Sequence, residues 1–141
     1  MSDEAELVRS LNDFAAAKHP GFVGVELTAC TAEEVRGSMV VTEPVVAGTG
    51  FLWAPVVITL ADWLCAAGMS PNLAPDESFT TVELKTNFLG SASLGETVTG
   101  IARPAHRGRT THVWDVEVRN ADRDRVIALF RCTQMILRGR P

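Results

Sequence analysis

One carboxylate in this sequence sits where a carboxylate is expensive. From Pro44 to Ala61 the chain carries no charge, Asp62 follows, and the apolar run resumes with Trp63, Leu64, Cys65, Ala66 and Ala67. Burying an unpartnered carboxyl costs several kcal/mol and raises its pKa, which suits a general base or a nucleophile. The plainer alternative is a carboxylate satisfied by a neighbouring hydroxyl, or by a helix end across a subunit contact. A basic group stands further along, where Arg103, His106, Arg107 and Arg109 gather at one turn, with Arg138 and Arg140 in the tail. Turn tips are polar by default, so solvation alone accounts for such a cluster. The chain's net charge is −4, however, so an anionic ligand must find a local basic site, and the fork of Arg suits phosphate.

Other chemistries lack their residues. His19, His106 and His112 show no metal-ligand spacing, and no cofactor is indicated. There is no Gly-x-Ser-x-Gly elbow, phosphate-cradling glycine loop or dinucleotide fingerprint. Cys30, Cys65 and Cys132 are odd in number and widely spaced, which fits reduced, buried thiols in a cytosolic protein. The acidic start Met1-Ser2-Asp3-Glu4 has neither the basic head nor the apolar middle of a signal peptide. A net negative chain presents no global field for nucleic acid or membrane.

The elements that must position these groups follow from patterning. The 141 residues suit one domain, 1–141, and 46% apolar content supplies a core for it. Asp3 with Glu6 resembles a capping box, and Leu7, Leu11 and Phe14 then repeat at helical spacing toward His19-Pro20-Gly21. Strand patterns run from Phe22 to Cys30 and from Val35 to Thr42, with Val35, Gly37, Met39 and Val41 on one face. Pro44, Gly48, Gly50 and Pro55 break the uncharged stretch, which argues against a membrane span and for a buried loop followed by a buried helix. Pro55 suits the first helical position, and Val56 to Met69 then show no polar face, as in a helix wrapped by protein. Strands are expected at about Phe79–Leu89, Glu96–Pro104, Thr110–Asn120 and Val126–Leu137. Short connections make them antiparallel neighbours, so the class is α+β: an antiparallel sheet around one apolar helix, with a short N-terminal helix.

These residues resemble a known family. Gly50-Phe51-Leu52-Trp53-Ala54-Pro55, with Leu60-Ala61-Asp62 after it, is similar to the signature of hotdog-fold thioesterases of the phenylacetic-acid-degradation type. That signature places His-Gly-Gly at a helix start and an acid nine residues beyond the His. Phe79 to Gly90, His106 to Thr111 and Leu129 to Met135 extend the likeness over roughly Val23 to Leu137. The resemblance implies a hotdog fold and hydrolysis of acyl-CoA thioesters, with coenzyme A as part of the substrate. It carries the acid onto Asp62, a water-positioning hydroxyl onto Thr81 and the oxyanion-binding N–H onto Ala54. It also implies a homodimer or a dimer of dimers. Trp53 stands where the family has His, Ala54-Pro55 replaces Gly-Gly, and Ala47-Gly48-Thr49-Gly50 lacks the family's upstream Asn.

Within that resemblance, Phe51, Leu52 and Trp53 suggest an apolar pocket for an aromatic or medium-chain acyl group. Trp53 also fits an interface or a core. Arg103, His106, Arg107 and Arg109 become candidates for the phosphates of coenzyme A. Two rival readings remain: a hotdog hydratase, which wants an acid–His pair although no His lies near Asp62 in sequence, and a non-catalytic acyl-CoA binding protein.

Overall fold

A computed structural model describes residues 2–139. The chain begins with α1 (Asp3–Ala16) and a single turn, α2 (His19–Phe22). Strands β1 (Glu26–Cys30) and β2 (Val35–Val40) lead through a 3₁₀ turn to the long helix α3 (Ala54–Met69). Strands β3 (Glu77–Phe88), β4 (Thr97–Arg107), β5 (Thr111–Asn120) and β6 (Arg125–Arg138) complete it. The six strands form one antiparallel sheet in the order β1-β2-β4-β5-β6-β3. That sheet and central helix are the hotdog architecture expected from the sequence.

Three glycines let α3 lie close on the sheet. A Cβ at Gly37 or Gly100 would stand 2.8 and 2.6 Å from the two methyl carbons of Leu64, which therefore seats between β2 and β4. A Cβ at Gly68 would collide with the Trp114 ring, so ring and helix backbone meet directly. Leu60, Ala61, Leu64 and Cys65 are buried against Val98, Ala102, Trp114, Val116 and Cys132. By length and composition alone the segment Ala54–Asn72 could cross a bilayer, but here its apolar residues form the protein's core. Cys30, Cys65 and Cys132 are buried and unpaired.

The uniform apolarity of α3 predicts burial all round, and this holds only in part. The sheet takes one side, while Ile58, Thr59, Asp62, Trp63 and Ala66 form a stripe that remains partly exposed. Helices α1 and α2 half-cover that stripe, and Phe14 stacks on Trp63 with ring centroids 6.3 Å apart.

Some ends differ from those expected. Ser2, not Asp3, caps α1, because its hydroxyl accepts from the Ala5 N–H at 3.2 Å. The first helix stops at Ala16 and α2 intervenes, so β1 starts at Glu26 rather than Phe22. Gly24, at φ +91°, makes the left-handed turn between them. An irregularity in the β4–β5 ladder between Pro104 and His106 lets β4 run on to Arg107.

The edge strand β3 carries Thr81. Its register against β6 shifts between Thr81 and Glu83, leaving Val82 as a bulge. Phe79 and Thr81 pair opposite Ile136 and Gln134, and beyond the bulge Leu84, Thr86 and Phe88 pair opposite Cys132, Phe130 and Ala128. All five therefore face the helix side of the sheet. Yet Leu84 and Phe88 are 40% and 46% exposed, because α3 does not reach across to the edge.

Candidate active site

Asp62 lies on the half-covered stripe of α3, and β3 brings Thr81 to it. The Thr81 hydroxyl is 3.1 Å from Asp62 Oδ1 and 3.0 Å from Gln134 Oε1. A hydroxyl has one proton, so it donates to one of these oxygens at a time. Turning the Gln134 amide would let its NH₂ donate to Thr81 and free the hydroxyl proton for Asp62. Burial pushes the Asp62 carboxyl above the usual carboxylate range, and the Thr81 hydrogen bond offsets part of that rise. The bulge at Val82 follows Thr81 directly, in the position where such irregularities re-aim a side chain.

Gln134 is a member of this group that the sequence did not single out. It is fully buried, and the cross-strand register His112↔Gln134↔Thr81 sets three polar side chains in one row. His112 at the end of the row is also buried, and burial, then Arg107 and His106, hold its pKa below the ordinary imidazole value. The signal for Gln134 was an amide at an inward position of β6, between Cys132 and Ile136.

Ala54 and Trp53 stand at the other end of α3. Trp53 is the N-cap residue, with its side chain half exposed and its own N–H donating to the Val45 carbonyl at 3.0 Å. Ala54 is the first helical residue, whose N–H has no acceptor within a helix, and Pro55 follows it. Leu52 is buried, with its N–H on the Ala92 carbonyl. Phe51 is exposed and bridges to Ser93, at the rim of a cavity of about 250 Å³ that also includes Asn120, Arg123 and Arg125.

The basic cluster is drawn into ion pairs with the β1–β2 turn. Arg103 Nη2 lies 2.5 Å from Glu34, and hydrogen bonds from Arg36 and then Arg103 hold that carboxyl below its usual range. Arg107 reaches the Ala32 carbonyl, Asn72 Oδ1 and Glu33 at 3.3–3.6 Å. Arg138 binds Glu77 and the Arg109 carbonyl. His106 is exposed on β4, the Arg109 side chain makes no ion pair among the described residues, and Arg140 lies outside them. Thr111 pairs with Met135, next to Gln134 in β6, so the hairpin tip sits at the Thr81 end of the sheet.

A histidine remote in sequence joins the acid. His19 opens α2 and lines, with Pro20, Ile58, Thr59, Asp62, Trp63 and Ala66, a cavity of about 200 Å³ against α3. Its Nε2 is 2.9 Å from Thr59 Oγ1. No spacing rule could reveal this, since 43 residues of sequence separate His19 from Asp62.

Comparison with known proteins agrees with this architecture. The profile of the Thioesterase superfamily matches residues 49–127, which run from the loop before α3 to the start of β6. A 1,4-dihydroxy-2-naphthoyl-CoA hydrolase of Listeria monocytogenes is 27% identical over 118 residues, covering 84% of this chain and 94% of its own. The crystal structure of a mutant thioesterase from Pseudomonas aeruginosa superposes with a TM-score of 0.87 at 25% identity, covering 94% of each chain. The Escherichia coli PaaI protein, from the phenylacetic acid degradation operon, shares the fold. Its TM-score is 0.79 at 21% identity, over 96% of this chain and 92% of that one.

Proposed function

The chain belongs to the Thioesterase superfamily, and from that premise we propose that it hydrolyses acyl-CoA thioesters with Asp62 as general base. The observation that carries the assignment is the Asp62–Thr81 pair on the half-covered stripe of α3, with burial raising the carboxyl. A base whose pKa is raised toward the working pH takes a proton from water more effectively than an ordinary carboxylate. Thr81 holds the carboxylate, and a water hydrogen-bonded to that carboxylate is aimed at the thioester carbon. As the new C–O bond forms, Asp62 accepts the proton. As the C–S bond breaks, that proton passes to the departing sulfur, leaving a carboxylic acid and the thiol of coenzyme A. The carbonyl oxygen, negative in between, is held by the Ala54 N–H at the helix N-terminus of a second copy of the chain.

A second copy of the chain is part of this proposal. Leu84 and Phe88 face the core side of β3 yet stay 40% and 46% exposed, and among the described residues no strand lies beside the outer edge of β3. Apolar side chains on a long unpaired edge need a cover, and a twofold-related β3 supplies both a strand and an apolar face. Aromatic acyl groups fit the exposed Trp53 and Phe51, and the Listeria relative is itself named for an aryl-CoA thioester. Three unpaired thiols fit a cytosolic setting.

The test is thiol release, followed with a thiol-trapping dye across a panel of aryl- and alkyl-CoA esters. Turnover that depends on the acyl group supports the assignment. Stabilisation by coenzyme A esters without thiol release would instead make the protein an acyl-CoA binder.

A further inference from the structure

The imidazole that the family signature carries at the start of the central helix is absent here, because Trp53 occupies that position. The fold brings another imidazole to the acid by a different route. Gly21 makes this possible: a Cβ there would strike the Ala15 carbonyl, so only glycine lets α2 fold tightly back on the end of α1. The resulting turn sets His19 above Thr59 on the exposed stripe of α3.

The hydrogen bonds fix which ring nitrogen carries the proton. Thr59 Oγ1 donates its single hydrogen to the Pro55 carbonyl, 3.0 Å away in the preceding turn. With that proton committed, Thr59 can only accept from His19, whose Nε2 is 2.9 Å distant. Nε2 therefore carries a hydrogen and is an N–H donor held in a defined direction. Thr59 and Asp62 are three residues apart on one helix face, so their side chains root about 5–6 Å apart. Donor and carboxylate thus flank the same cavity of about 200 Å³, whose remaining walls are Pro20, Ile58, Trp63 and Ala66. A base and an oxyanion donor on either side of one carbonyl need a separation of this order.

We propose that His19 is a catalytic residue, its Nε2–H serving as a second donor to the carbonyl oxygen of the thioester whose carbon is attacked by the water at Asp62. This rests on the reading of Asp62 as the base. In the free enzyme the N–H is parked on Thr59. When substrate fills the cavity it turns to the carbonyl oxygen, exchanging one uncharged acceptor for another at little net gain. The gain comes as the oxygen becomes negative, in a pocket with apolar walls, so the interaction strengthens at the transition state and acts on kcat more than on KM. His19 neither gains nor loses a proton in this role. The proton taken from water stays with Asp62 until the sulfur leaves.

The experiment compares His19→Leu, His19→Gln and Asp62→Asn by steady-state kinetics on the acyl-CoA ester that the wild type turns over best. Removing one oxyanion donor costs about 100-fold or more in rate. His19→Leu should therefore lower kcat by about 100-fold while KM stays within about 3-fold. His19→Gln, which restores an N–H of similar reach, should recover at least about 10-fold of that loss. Because His19 is exposed, thermal midpoints should not move in either variant. The proposal is overturned if His19→Leu keeps kcat within about 3-fold of wild type, or if Gln is as damaged as Leu, or if KM absorbs the loss. Asp62→Asn separates the two claims. An inactive Asp62→Asn beside an active His19→Leu removes only His19, whereas activity in both removes the Asp62 reading as well.

Discussion

Mixing two inactive variants should restore activity, because under the proposed roles of Asp62 and Ala54 the geometry of α3 keeps one chain from completing its own site. Ala54 and Asp62 are eight residues apart in a continuous helix, which at 1.5 Å per residue is about 12 Å along the axis. The N–H groups of a first helical turn point out of the N-terminus, so an oxygen bound at Ala54 lies about 3 Å further away still. The Asp62 side chain leans back along the helix by a fraction of that distance only. A carbonyl held by the Ala54 N–H is thus beyond reach of Asp62 in the same chain, so under the proposed mechanism the pair acts across a dimer. The two variants are Asp62→Asn and Ala54→Pro, the second deleting the backbone N–H. Ala54→Pro should fold, since proline is favoured at the first helical position and Trp53, at φ −58° and ψ 134°, already has the conformation a residue before proline adopts. In a mixed dimer one composite site carries both defects and the other carries none. Random pairing of equal amounts gives half mixed dimers with one intact site of two, so roughly a quarter of wild-type activity returns. The assay is thiol release after subunit exchange, with the exchange followed by native mass spectrometry. Folded, exchanging variants that recover nothing would refute the shared site.

Three further outcomes follow. Asp62→Asn should be more stable than wild type near pH 7: a carboxyl whose folded pKa is raised holds its proton more tightly when folded, so wild-type stability falls as pH rises from about 3.9 through the raised value. Urea unfolding at pH 4 and pH 7 reads this, and a variant equally stable or weaker at both contradicts it. Arg109→Ala should raise KM for coenzyme A esters several-fold while leaving pantetheine thioesters unaffected, since Arg109 is the one arginine of its turn that makes no ion pair among the described residues; equal loss on both substrates would make it structural. Trp53→His should shift the chain-length preference across the acyl panel, and an unchanged profile would assign Trp53 to packing or an interface instead.

Patterning revealed most of the fold because the inner and outer faces of each strand differ sharply. Trp114, Val116 and Val118 alternate with Asp115, Glu117 and Arg119, and the first three are buried. Asp62 was legible for the same reason, as a lone charge in apolar sequence. The short turn α2 was not legible, because Phe22 and Val23 read as the start of a strand and only Gly24 at positive φ delays it. Nor did the sequence show that α3 leaves one stripe half covered, since Ile58, Trp63 and Ala66 are as apolar as the buried side. The ion pairs that occupy Arg103 and Arg107 join positions about seventy residues apart, and the His19–Asp62 pocket joins two helices. Such contacts depend on how elements are placed in space, to which local spacing is blind.

The measurement that bears most directly on the account is the turnover number of Asp62→Asn on a good acyl-CoA substrate, with folding checked by circular dichroism. Asparagine preserves the size of the side chain and its contact with Thr81 but cannot take a proton from water. Loss of a general base lowers kcat by about 100-fold or more, and that is the result expected here, with KM little changed. A folded Asp62→Asn enzyme turning over at close to the wild-type rate would contradict the account at its centre.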